Sequence, residues 1–97
     1  MSEAVSLASR VRIPEGILAR LLGDELVLLN LQTGLYFSLD PVGTRIWQLL
    51  ESRPSHPLRA VLETLTGEYD VDRTRCRQDL LNLISSLREH RLLVVSA

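Results

Sequence analysis

The side chains able to do chemistry are few and scattered: one cysteine, Cys76, two histidines, His56 and His90, a Ser-rich amino-terminal segment, and carboxylates spread along the chain. A Cys76 nucleophile with His56 or His90 as its base is conceivable, because such partners meet in space rather than in sequence. Position argues against it. Cys76 falls on the apolar face of a helical segment, where a small buried thiol is the ordinary reading, and His90 falls at the charged end of the same segment, where it favours the helix dipole. No His, Cys or carboxylate pair recurs at ligand spacing, so neither a metal nor a cofactor is expected. Arg73, Arg75 and Arg77 form the one basic cluster, which beside a winged-helix arrangement would be a nucleic-acid footprint. Asp70, Asp72 and Asp79 interleave with it, and phosphate binding needs several uncompensated cations. A further reading has Arg73 and Arg77, one turn apart, lining a groove and pairing with acidic residues of a peptide.

The totals point the same way. With 97 residues, 45% hydrophobic and 24% charged, the chain suits one soluble globular domain. A net charge of −1 gives no electrostatic case for nucleic acid or an anionic membrane. A lone cysteine allows no internal disulfide, and no apolar run suits a signal peptide or a membrane span, so the cytoplasm is the default setting. Residues 1–10 acquire no partner in the sequence and read as a frayed tail before a domain over 11–97.

These groups must be positioned by elements that the pattern of apolar residues defines. Val11 to Pro14 suggests an irregular edge. Ile17 to Leu22, Glu25 to Leu31 and Leu35 to Leu39 then read as a meander of three strands, with Gly23-Asp24 and Thr33-Gly34 at the turns. Asp40 caps a first helix with Pro41 at its first position. Its face is Val42, Ile46, Leu49 and Leu50, with Trp47 in the core and Arg45, Gln48 and Glu51 toward water. A second helix runs from Pro57 to about Tyr69. A third, capped by Asp72, runs from Arg73 to about Arg91 with Cys76, Leu80, Leu83, Ile84 and Leu87 in the apolar set and Leu81 on its flank. Leu92 to Val95 closes the chain as a strand or extended tail. The fold class is therefore α+β and winged-helix-like, a three-stranded antiparallel meander followed by three helices. The third strand has no charge and no proline although it lies at a sheet edge, and an unguarded edge invites a partner strand.

The run Leu26 to Leu50, LVLLNLQTGLYFSLDPVGTRIWQLL, resembles the PqqD-like proteins, the small leader-binding domains called RiPP recognition elements. It is most similar to the stand-alone members that serve lasso-peptide biosynthesis. The match is carried by the hairpin with Thr33 to Phe37, the Leu39-Asp40 step and the Val42-Gly43 and Ile46-Trp47 pairs. Tyr69 with Asp70-Val71, the Asp79-Leu80 step and the closing Leu87 to Leu93 segment extend it over about residues 11 to 95.

The resemblance implies a non-enzymatic adaptor that binds the leader of a ribosomally made precursor peptide. Its implied partners are that leader, a leader-cleaving cysteine protease and a cyclase, with no nucleic acid and no membrane. In such domains the leader adds as a strand to the third strand and lies between it and the third helix. Carried over, the strand is Gly34, Leu35, Tyr36, Phe37 and Ser38, and the groove wall is Arg73, Cys76, Arg77, Leu80, Leu81 and Ile84. A winged-helix DNA-binding regulator is the alternative reading.

Overall fold

The structure, a computed structural model, describes residues 4–54 and 56–96. Its order is β1 (Arg10–Arg12), β2 (Ile17–Leu22), β3 (Glu25–Asn30), β4 (Tyr36–Leu39), α1 (Pro41–Ser52), α2 (Leu58–Glu68), α3 (Arg73–Glu89) and β5 (Val94–Ser96). β2, β3 and β4 form the expected antiparallel meander, with β3 in the middle. Gly23 opens the first turn at φ 67 while Asp24 keeps a negative φ, the pattern of a type II′ hairpin. Alternation then sorts the middle strand: Leu26, Leu28 and Asn30 are buried against the helices, while Val27 and Leu29 are half-buried on the other face.

The helices start where the sequence caps them. Asp40 accepts a hydrogen bond from the Gly43 N–H at 2.7 Å, and Pro41 occupies the first turn of α1. Gly43 sits against this cap, and a Cβ there would lie 3.2 Å from Asp40 Oδ1 and 3.3 Å from Leu39. Thr44, buried behind it, accepts from the Leu26 N–H and donates to the Leu39 carbonyl, so one hydroxyl ties the ends of β3 and β4 to α1. Trp47, Leu28, Leu58, Leu62, Leu65, Leu80, Ile84, Leu87 and Leu92 fill the centre with almost no accessible surface. Burying each such side chain contributes roughly 1.5–3 kcal/mol, which is why one core suffices for a chain this short.

Several expectations need correction. The segment before β2 is ordered by the carboxy terminus: β1 pairs with β5 as a separate two-stranded sheet, Val11 opposite Val95. The expected frayed tail is tied down where it is described, because the Leu7 and Ser9 carbonyls accept from the Arg59 and Leu58 N–H groups at 3.0 and 2.9 Å. Residues 1–3 lie outside the described residues. Arg45 is not simply a solvent-facing residue: its guanidinium donates twice to Glu68 of α2, at 2.8 and 2.6 Å. That pairing holds the Glu68 carboxyl below its usual range. α3 ends at Glu89 rather than Arg91, where the chain turns sharply: Arg91 takes φ 57, and Leu92 and Arg91 donate back to the Leu87 and Arg88 carbonyls. This is a Schellman closure with an arginine where glycine is usual.

One buried polar residue links that turn to the sheet. Asn30 donates from Nδ2 to the Arg91 carbonyl at 3.0 Å and accepts at Oδ1 from the Gln32 and Thr33 N–H groups. Its side chain thus closes the β3–β4 loop and fixes β4 relative to the end of α3. Phe37 of β4 completes the link, edge-on to the His90 ring at 5.0 Å.

Candidate functional site

The register decides which backbone groups of β4 are free. The Asn30 N–H donates to the Leu35 carbonyl, so the bonded pairs continue at every second residue, Leu28 with Phe37 and Leu26 with Leu39. On the other side of β3, the Leu31 N–H donates to the Gly16 carbonyl, which places the bonded pairs of β2 at Leu29 with Leu18 and Val27 with Arg20. The two ladders agree. Tyr36 and Ser38 therefore turn both N–H and C=O outward at the open edge of β4.

Beside that edge runs a trough of about 440 Å³, walled by Phe37, Ser38 and Leu39 of β4, Val42 and Ile46 of α1, and Asp79 and Leu83 of α3. It continues into a second hollow of about 420 Å³ between the helices, lined by Val42, Ile46, Leu65, Val71, Arg75, Cys76, Asp79 and Leu80. Val42, Ile46 and Asp79 belong to both. Fixed by Asn30, Thr44 and the Phe37–His90 contact, the walls come from three elements whose relative positions are set by buried hydrogen bonds and packing.

The residues expected at the site divide. Tyr36, Phe37 and Ser38 stand at the edge as expected, Tyr36 73% exposed and Phe37 half-buried. Gly34 and Leu35 lie in the loop before β4, Gly34 at φ 74 with its N–H on the Asn30 carbonyl. Cys76 and Leu80 line the second hollow. Leu80 does so only as its floor, with almost no accessible surface, and Ile84, equally buried and lining none of the hollows, supports the wall from inside. Arg77 and Leu81 lie on the opposite flank of α3, in a separate depression with Thr74, Gln78 and Asn82. Arg73 is exposed at the start of the helix and lines none of these hollows. Of α3, Asp79 and Leu83 stand beside β4 and Arg75 beside the second hollow, three residues that the sequence reading did not place at the groove.

The chemistry available is that of a surface for binding. The Cys76 thiol is pushed up, first by burial and then by the nearby Asp79 carboxylate, so it stays protonated and a poor nucleophile at neutral pH. Among the described residues, no group of three or more His, Cys, Asp or Glu could hold a metal ion. Nor do the arginines make a phosphate-binding face. Arg75 faces the second hollow beside Asp72 and Asp79, whereas Arg77 points to the other flank. What remains is an open strand edge beside a trough of mixed apolar and carboxylate lining, suited to an extended peptide.

Comparison with known proteins agrees with this geometry. Solved structures similar to the chain include one described as TbiB1 in complex with the TbiA(beta) leader peptide, 39% identical with a TM-score of 0.77, covering 84% of this chain and 93% of that one. Another is a lasso peptide synthetase B1 complexed with the leader peptide, 29% identical, also with a TM-score of 0.77, covering 88% and 98%. Among curated proteins none matches. The profile of the family described as coenzyme PQQ synthesis protein D (PqqD) matches residues 25–93, from the start of β3 through α3 to the last buried leucine, and the chain belongs to that family.

Proposed function

We propose that the protein is a leader-peptide-binding adaptor of lasso-peptide biosynthesis. The leader pairs with the edge of β4, lies in the trough against α3, and is handed to enzymes that process the precursor. The observation that carries this reading is the coincidence of an uncharged open edge with an adjoining trough, in a fold shared with proteins solved with leader peptides bound. The outward N–H and C=O groups of Tyr36 and Ser38 offer four strand hydrogen bonds, worth roughly 4 kcal/mol together. Ordering a flexible leader consumes much of that gain, so useful affinity requires apolar side chains from the leader against Leu83, Val42 and Ile46.

The adaptor supplies no catalytic step, and its enzyme partners are a leader-cleaving cysteine protease and the cyclase, all in the cytoplasm. No helix among the described residues is long and apolar enough to cross a membrane, which fits that setting. The DNA-binding reading gains no support: its three arginines diverge around α3, and both relatives were solved with peptides. The distinguishing experiment is a titration with a fluorescent leader peptide and with random duplex DNA at rising salt. Peptide binding that changes little with salt, with no duplex binding, is expected, since phosphate contacts make affinity fall steeply with salt. Nanomolar duplex binding and no leader binding would overturn the proposal.

A further inference from the structure

The trough has a charge as well as a shape, and it is the reverse of what the arginine cluster implies. Three carboxylates face it and its extension, Asp40, Asp72 and Asp79, against one guanidinium, Arg75. They are not equivalent. Asp40 and Asp72 cap helices, accepting from the Gly43 and Thr74 N–H groups, so their charge is partly compensated by the helix amino termini they close. Asp79 lies in the middle of α3, where no backbone N–H is free. Among the described residues it has no hydrogen-bond or ion-pair partner, although Arg75 is one turn away. A basic residue preceding an acidic one at this spacing is the weaker orientation for a helical pair.

Its position gives that charge a use. Asp79 is shared by the trough along β4 and by the more apolar hollow beyond. A peptide that pairs with β4 and sends a side chain into the second hollow therefore passes the Asp79 carboxylate.

We infer that Asp79 is a specificity-determining residue that selects a basic side chain, Lys or Arg, in the bound peptide, between the segment paired with β4 and the apolar residue seated in the second hollow. The inference rests on the proposed peptide-binding function of the same groove. It excludes an acidic leader residue at this point, where like charges would meet.

The test is a selection from a random-sequence peptide library displayed on its own messenger RNA, against the wild-type chain, D79N and D79R, with S38P as a counter-selection for peptides that use the β4 edge. The expected result is enrichment of Lys or Arg at one fixed position of the β4-dependent peptides. Affinity for such a peptide falls about two- to fivefold in D79N, the range of an exposed ion pair, and this difference shrinks with salt. In D79R the preference reverses to Asp or Glu at that position. Peptides that depend on β4 but show no basic preference, or keep it against D79N and D79R, would overturn the role of Asp79 and leave the peptide-binding reading standing. Recovery of no β4-dependent peptide would overturn both.

Discussion

The three-stranded sheet has two open edges, β2 and β4, and they differ in what stands beside them. β2 projects as a wing: Leu18, Leu21 and Leu22 are 54, 54 and 59% exposed, and its principal neighbour is β3. Its outward backbone groups, by the same alternation, are those of Ile17, Ala19 and Leu21. β4 offers fewer, those of Tyr36 and Ser38, but α1 and α3 wall its flank. An edge alone gives main-chain hydrogen bonds to any extended chain, whereas the wall supplies apolar contact and the charge of Asp79. The proposed function belongs to the walled edge.

The sharpest way to separate wall from support is in α3 itself. Ile84→Ala should cost about 2–5 kcal/mol of stability, the range for emptying a fully buried site, with little change in peptide affinity among molecules that remain folded. Leu83→Ala, at the half-buried rim, should do the opposite: a small loss of stability and about 1 kcal/mol of peptide affinity. Denaturant titration beside peptide binding reads both, and a large affinity loss in Ile84→Ala at unchanged stability would return that residue to the groove surface.

Next in size is a comparison of the edges by proline. Ser38→Pro removes an outward N–H of β4 and should leave the melting temperature nearly unchanged while weakening leader binding at least tenfold, about 1.4 kcal/mol. Ala19→Pro removes the matching group of β2 and should leave binding as it was. Equal losses in the two variants would show that neither edge is selected by its surroundings.

The smallest effect is expected at Arg77. Exposed on the far flank of α3, it should contribute nothing measurable to leader affinity, and Arg77→Ala should leave both the association rate and its salt dependence unchanged. A slower, less salt-sensitive association would restore the acidic-leader reading.

The sequence carried most of the fold in features that act locally. Gly23, Asp40-Pro41 and Asp72 mark a turn and two helix starts by backbone chemistry that neighbouring residues cannot override, and the apolar stripe Leu80, Ile84, Leu87 shows which side of α3 is buried. It does not show which flank lies along β4. Both flanks carry a leucine, Leu81 on one and Leu83 on the other, and the choice depends on how Asn30 and Arg91 join distant parts of the chain. The pairing of β1 with β5 was hidden for the same reason, since strands of three residues separated by most of the sequence leave too short a pattern to read. The run of apolar residues from Cys76 through Leu80 to Leu83 is the one sequence signal of the flank that faces the trough and the second hollow.

Backbone hydrogen exchange, followed residue by residue with and without a bound leader peptide, tests the central claim without any mutation. In the free protein the amides of Tyr36 and Ser38 on β4 and of Ala19 and Leu21 on β2 should all exchange rapidly, because none is bonded within the sheet. Leader binding should slow Tyr36 and Ser38 and leave Ala19 and Leu21 fast. Protection of Ala19 and Leu21 with Tyr36 and Ser38 unchanged would place the leader on the wing and contradict the assignment of the walled edge.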